Sequence, residues 1–262
     1  MLNLILQLAL KDLKTRYAHL ALGFLWAFLS PLFMTGILYL VFSLFLKVKT
    51  DEVPFFLYLA SATFSWRFFQ DSLVSSSTSL MDNKNLIKES KFPHYLIPLS
   101  IVLSNALIFL PSLAIVVVIS FFLLRGLPVL IIFLPAVFLL HLAVSAGLCA
   151  IFSILYVRFR DTKYILEALL PFLFYLTPVF YPLSLVKSSF PPALFNAYMC
   201  NPFVGILTLY RVVLLKGFYR PTQESGFFYL IALPVIFSAG VFLTAFYLYK
   251  KQRNSINDYL SY

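Results

Sequence analysis

Six long apolar stretches divide this chain, at about residues 20–46, 55–80, 97–124, 129–157, 164–181 and 227–249. A run of about 18 or more apolar residues with few charges is long enough to cross a lipid bilayer. Lipid offers the backbone no hydrogen-bond partners, so only helices or closed barrels span it. The alternating segments of roughly ten residues that build a barrel are absent from the sequence. Charged residues make up 11% of the chain, against about a quarter in soluble domains. The sequence therefore predicts an all-α integral membrane protein with six transmembrane helices.

Two regions outside these spans stand apart. In residues 1–18, Leu6, Leu10, Leu13 and Tyr17 are spaced four, three and four apart, with Asn3, Gln7, Lys11 and Lys14 on the opposite face. That pattern predicts an amphipathic helix lying in the membrane interface. Residues 184–226 are semi-apolar and broken by Pro191, Pro192, Asn201-Pro202 and Gly205. The apolar piece inside them, 206–215, is too short to span. A re-entrant or interfacial hairpin before the last helix is the expectation.

Orientation follows from the basic residues. With the N-terminus inside, the cytoplasmic segments hold twelve Lys and Arg, and the outer segments hold seven over more residues. The bias predicts both termini in the cytoplasm and the hairpin outside. It also puts the most polar interruption of the chain, Met81 to Ser100, on the inside. This segment reads either as a solvated connector or as a short helix that docks on a cytoplasmic partner. The charged stretch around Leu86-Ile87, closed by Pro93, favours docking. In the second span Arg67 and Asp71 lie one helical turn apart and can pair. A charge in lipid costs about 3 kcal/mol on insertion scales, so this pair is expected to face protein or a water-filled cavity. The hydroxyls from Ser75 to Ser79 predict a wet or helix-packed face.

Several functions lack their machinery. No G-x-x-x-x-G-K-[ST] sequence occurs, so ATP is not held by a P-loop in this chain. His19, His94 and His141 are scattered, without metal-ligand spacing. No G-x-S-x-G nucleophile elbow appears. The ten acids form no cluster of the kind a membrane glycosyltransferase uses. Cys149 and Cys200 suggest neither a disulfide nor a metal site. The net charge of +10 collects at span ends and reads as topology, not nucleic-acid binding. No cleavable signal peptide is expected. The absence of an internal repeat argues against an inverted-repeat secondary transporter.

One series of motifs points further. Lys14-x-Arg16-Tyr17 leads to Leu22-Gly23-x-x-Trp26-x-x-Leu29-x-Pro31, and Trp66-x-Phe68-Phe69 follows. Then come Asn85-Leu86-Ile87-Lys88, Phe92-Pro93 and Pro98-Leu99-Ser100. Arg160-Asp161, Thr177-Pro178-Val179-Phe180-Tyr181, Asn201-Pro202 and Arg211 complete the series. Together they resemble the ABC-2 type permeases that export polysaccharides, the membrane subunits of O-antigen, capsule and teichoic-acid transporters. The likeness covers nearly the whole chain as a single domain, 1–262.

The resemblance implies a bacterial cytoplasmic-membrane permease that moves a lipid-linked polysaccharide. It implies a homodimer with two cytoplasmic ATPase subunits, which carry the ATP and magnesium, so that no cofactor is bound by this chain. The loop 81–98 would couple to the ATPase through Asn85, Leu86, Ile87, Lys88, Glu89 and Phe92, and the N-terminal helix would also touch it. Substrate entry is assigned to Lys14, Arg16, Tyr17, Arg158 and Arg160, whose arginine forks suit a carrier phosphate. Trp66, Arg67, Phe69 and Asp71 are assigned to the translocation path. The hairpin 184–226 would act as an outer gate, with Tyr181, Asn201, Pro202 and Arg211. An ABC-2 exporter of teichoic acid, lipid or drug is the alternative, and a membrane enzyme of glycan assembly a more distant one. The 30 Phe and 16 Tyr suit a glycan path, although interfacial belts and lipid-facing packing account for most of them.

Overall fold

The computed structural model describes residues 2–18, 25–48, 50, 53–89, 93–218, 226 and 228–259. All regular structure among the described residues is helical. In order the helices are α1 (Leu2–Tyr17), α2 (Trp26–Tyr39) with a π-helical extension Leu40–Phe45, and α3 (Phe55–Ser77). The short α4 (Ser79–Asp82) and α5 (Lys84–Glu89) come next, then α6 (Leu96–Leu123). A 3-10 turn (Val129–Phe133) leads into α7 (Leu134–Arg158), followed by α8 (Thr162–Leu176), α9 (Leu183–Ser189), α10 (Pro192–Met199) and α11 (Pro202–Leu214). A π-helical turn (Phe228–Ala232) opens α12 (Leu233–Tyr259).

α3 is the inner helix. It packs against α2, α6, α7, α8 and α11, and 17 of its 23 residues are buried. This position explains its composition. A helix that meets protein on nearly every side has no need of a lipid-facing apolar surface. Several of its hydroxyls bond the preceding turn: Ser65 donates to Ser61 O at 2.7 Å and Ser77 to Val74 O at 2.7 Å, while Thr63 and Ser72 are buried without a partner among the described residues. Short side chains of this kind let helices approach closely. The face carrying Ser76 and Ser77 is therefore helix-packed. The partly exposed stripe of α3 holds Arg67, Asp71 and Ser75, spaced four apart on one side.

Four helical stretches are long and apolar enough to cross a membrane: Trp26–Phe45, Leu96–Leu123, Val129–Arg158 and Phe228–Lys251. A fifth is possible in α10 and α11, which meet at a 79° bend. α3 is less apolar, chiefly through Arg67, Gln70 and Asp71 on its partly exposed side, and α8 is 15 residues long, roughly 22 Å. α12 also departs from expectation, for it runs past Lys250 and Lys251 to Tyr259.

Two close approaches fix the far side of the bundle. α12 lies along α7, where a Cβ on Gly147 would come within 2.5 Å of the Val241 side chain. α11 lies on the turn before α12, where a Cβ on Gly205 would sit 2.8 Å from Tyr229 O and 2.9 Å from Leu230 O. The α6–α7 connection turns at Arg125 and Gly126, both with positive φ (51° and 128°), a conformation that suits glycine at the second position.

Candidate functional site

α1 lies on α6 and has three faces. Leu6 and Leu10 stay exposed at 46% and 43%. The polar residues Asn3, Gln7, Lys11 and Lys14 are also exposed. The third face, through Ala9, Asp12 and Arg16, meets α6 and is polar. Arg16 Nη2 pairs with Asp12 Oδ2 at 2.9 Å, and Arg16 Nη1 donates to Asn105 Oδ1 at 3.0 Å. Ser104 donates to Asp12 Oδ2 at 2.7 Å. The helix is thus not simply two-sided: the polar stripe is a quarter-turn neighbour of the apolar one, which frees a side for docking. This pair was missed in the sequence, although the spacing of Asp12 and Arg16, four apart, could have shown it; its receptors on α6 have no local signal.

Beside this seam α1, α2, α3 and α6 enclose a polar cavity of about 350 Å³. Arg16, Arg67, Asp71 and Asn105 line it, with Ser30, Ser75 and Ser112, under the rings of Trp26, Phe64, Phe68 and Phe109. Arg67 Nε pairs with Asp71 Oδ2 at 3.1 Å, and Arg67 Nη2 donates to Ser30 at 3.2 Å. Asn105 is 4% exposed, and its Nδ2 has no hydrogen-bond partner among the described residues.

Trp66 and Phe69 are elsewhere. They are 2% and 1% exposed, on other sides of α3 from Arg67. Trp66 donates to Gln70 Oε1 at 3.0 Å and lies 5.6 Å from the Phe203 ring; Phe69 lies 4.2 Å from it. Phe69 also borders a second, mostly apolar cavity of about 530 Å³, together with Leu173, Tyr198, Asn201 and Pro202. The structure therefore separates the four path residues into a polar pair at one cavity and two aromatic rings in the packed interior.

The gate residues, by contrast, meet in one knot. Arg211 is 1% exposed. Its Nη2 donates to Val179 O at 2.8 Å and its Nε to Tyr58 O at 3.4 Å. Its guanidinium carbon lies 3.5 Å from the centre of the Tyr58 ring. Tyr58 donates to Tyr181 O at 2.8 Å. Tyr181 donates to Tyr175 O at 3.0 Å, so across the 3.1 Å contact with Tyr198 it accepts. Asn201 caps α11 by accepting from Phe203 N at 3.0 Å and donates to Thr177 at 3.1 Å. Pro202 follows at the first helical position, where its missing N–H costs nothing. α11 runs antiparallel to α3, since Phe203 meets Trp66 and Phe69 while Arg211 meets Tyr58. Tyr58 belongs to the knot and was missed in the sequence, because one more tyrosine does not stand out in an aromatic-rich chain; Thr177 stood in the Thr177-Pro178 motif without a gate role and joins the knot through Asn201.

The polar segment between α3 and α6 holds two short helices. In α5 Lys84 and Asn85 are exposed. Ile87 is not: at 5% exposure it packs with Leu80, Ile97, Ile154 and Val157. Leu86-Ile87 is therefore not a shared apolar surface for a partner, because Ile87 anchors α5 to the bundle. Lys88 and Glu89 belong to α5, and Phe92 lies outside the described residues. Arg158 and Arg160 are exposed at the end of α7. Among the described residues no hydrogen bond or ion pair joins them to Lys14 or Arg16, and Tyr17 closes α1 beside that pair.

Comparison with known proteins follows the same outline. The family model described as an ABC-2 type transporter matches residues 3–215. An O-antigen export system permease protein, RfbA, of Myxococcus xanthus is 30% identical over 211 residues, 80% of each chain. RfbA proteins of Klebsiella pneumoniae are 29% and 28% identical over 218 residues, 82% of this chain and 81% of theirs.

Proposed function

This chain belongs to the ABC-2 type transporter family, and we propose that it is the permease of an exporter that moves a lipid-linked, O-antigen-like polysaccharide across a bacterial cytoplasmic membrane. Family membership makes it a multi-pass transporter subunit, not an enzyme, and implies an ATPase partner. The observation that carries the substrate class is the 30% identity to an O-antigen export permease over 80% of both chains.

In this reading residues 1–262 are one domain with six spans, both termini inside, and two copies assemble with two ATPase subunits. α3 and α8 complete the six. α3 is long enough at 23 residues, roughly 34 Å, and α8 extends its reach with the segment up to Tyr181. The segment 81–98 couples to the ATPase through the exposed Lys84 and Asn85, with Leu86, Lys88, Glu89 and Phe92 beside them and Ile87 as the anchor beneath. ATP and magnesium stay on the partner.

Substrate enters at the cytoplasmic face near Lys14, Arg16, Tyr17, Arg158 and Arg160. Arg16 has its fork committed to Asp12 and Asn105, so it holds α1 in place while the exposed Lys14, Arg158 and Arg160 supply attraction for a carrier phosphate. Arg67 and Asp71 line the path at the polar cavity, and Trp66 and Phe69 stiffen its wall. The hairpin 184–226 is the outer gate, and the Arg211 knot with Tyr181, Asn201 and Pro202 is its closure.

The test is co-purification with the ATPase, followed by ATP turnover measured with and without lipid-linked glycan. The complex is expected to hydrolyse ATP faster when glycan is added, and the permease alone to hydrolyse none. Turnover indifferent to every lipid-linked glycan would overturn the substrate class.

A further inference from the structure

We propose that the cavity between α1, α2, α3 and α6 is a saccharide subsite that takes one neutral pyranose ring. The inference rests on the export reading above and names what that part of the path recognises.

Size is the first argument. At about 350 Å³ the cavity stands at the small end of the roughly 300–1,000 Å³ range of small-molecule sites. A single sugar ring fills this volume, so the cavity takes one ring of a passing chain at a time. The second argument is the wall. Phe64, Phe68 and Phe109 are at most 4% exposed, while Trp26 at the rim keeps 43% of its surface open. An aromatic ring with open surface next to the buried Asn105 and the half-exposed Arg67 and Asp71 offers a sugar both of its needs: an apolar face for its C–H bonds and partners for its hydroxyls.

The polar atoms select among ligands. Asn105 Nδ2 is buried and unpartnered among the described residues, a cost of about 1–3 kcal/mol that a ligand acceptor removes. Asp71 gives Oδ2 to Arg67 and keeps Oδ1 as an acceptor. A hydroxyl group accepts and donates at once, so it can take the Asn105 proton and give its own to Asp71. A hydrocarbon chain would leave the buried Asn105 amide unmet.

Charge decides against a phosphate. Arg16 and Arg67 are each matched by a carboxylate, Asp12 at 2.9 Å and Asp71 at 3.1 Å. No surplus positive charge remains in the pocket for a phosphate, and its charge would face Asp71.

The full chain carries two tryptophans, and Trp66 is 2% exposed, so Trp26 is the residue whose emission a ligand in this cavity can change. The purified chain, in nanodiscs free of glycosidic detergent, is titrated with glucose, galactose, mannose, N-acetylglucosamine and rhamnose, and separately with inorganic phosphate. At least one sugar should give a saturable change in tryptophan emission, and phosphate none. Trp26→Phe should abolish the signal. Asn105→Asp keeps the oxygen that Arg16 binds and removes the amide donor, and should weaken binding roughly tenfold.

Silence with every sugar overturns the proposal, as does a response to phosphate instead, which would make the cavity an anion site. A sugar signal indifferent to both substitutions places binding elsewhere. A change that follows protein concentration and not sugar assigns the cavity to a second copy of the chain. Glycan-stimulated ATP turnover by the complex is measured in parallel. Stimulation without a sugar response removes the subsite and leaves the export reading. A sugar response without stimulation by any lipid-linked glycan removes the export reading and leaves a sugar site.

Discussion

Arg211 is a buried cation with no carboxylate partner among the described residues; two carbonyl oxygens and the face of Tyr58 meet its charge. The guanidinium can do this because its donors diverge in one plane and its face stacks on a ring; a lysine ammonium has neither property. Arg211→Lys is therefore expected to destabilise the permease as Arg211→Met does, by about 1–3 kcal/mol for the abandoned carbonyls. Thermal unfolding of the purified chain reads this, and a lysine variant as stable as the parent would show that charge alone suffices. Tyr58→Phe keeps the ring and loses only the bond to Tyr181 O, so its cost should stay near 0.5–1.5 kcal/mol. A second residue-scale contrast lies in α5. Ile87 is packed against Leu80, Ile97 and Ile154, and a buried carboxylate there has no partner. Ile87→Asp should lower the yield of folded permease, whereas Asn85→Ala, at an exposed position, should leave the fold intact and weaken capture of the ATPase. Both outcomes are read by size-exclusion chromatography with and without the partner. A well-folded Ile87→Asp variant that loses only the ATPase would return Ile87 to the docking surface.

At the scale of elements, close packing and helix docking carry the argument. On Gly205 a Cβ would press on two backbone oxygens at 2.8 and 2.9 Å, atoms that cannot swing aside. Gly205→Ala should therefore cost about 1–3 kcal/mol by overpacking, while Gly36→Ala, with nothing within 4 Å, should be neutral or slightly stabilising. Equal melting temperatures for the two would contradict the contact between α11 and the turn before α12. α1 is held differently, by the Arg16 fork on Asp12 and Asn105. Arg16→Lys preserves the charge and the topology but cannot reach both partners, so glycan-stimulated ATP turnover should fall while basal turnover and assembly persist. Unchanged stimulation would leave Arg16 as a topology determinant. The sequence showed that α1 was amphipathic because that pattern is local, repeating every three or four residues. It did not show the docked face, since Asp12 and Arg16 meet Ser104 and Asn105 from a helix about ninety residues away, and no spacing rule spans that distance. For the same reason the Arg67–Asp71 pair was legible and its neighbour Ser30 was not.

At the scale of the whole molecule, long apolar runs and turn residues were enough to place the bundle's helices. Hydropathy could not rank them by depth. α3 has 17 of its 23 residues buried and carries an ion pair and a run of hydroxyls, because burial by protein relaxes the demand that lipid imposes. Orientation is the property of the whole chain that the Lys and Arg bias predicts, and a chemical test reads it. Cys149 is buried and Cys200 exposed, so a Cys200→Ser background is expected to react little with an aqueous thiol reagent. Two exposed positions then serve as probes, Ser188 on α9 and Asn85 on α5. With both termini inside, the twelve cytoplasmic Lys and Arg hold α5 at the inner face, and the third, fourth and fifth spans separate it from α9, three crossings that put α9 outside. A membrane-impermeant maleimide applied to intact spheroplasts should label Ser188→Cys and spare Asn85→Cys, and permeabilised spheroplasts should label both. Labelling of Asn85→Cys from outside, with Ser188→Cys protected, would invert the topology and remove α5 from the reach of a cytoplasmic ATPase. Protection of both in intact spheroplasts, with labelling of both after permeabilisation, would place an even number of crossings between α5 and α9 where the six-span arrangement has three, and would reduce α8 to an interfacial helix, the outcome its length of 15 residues makes the most direct rival to six spans.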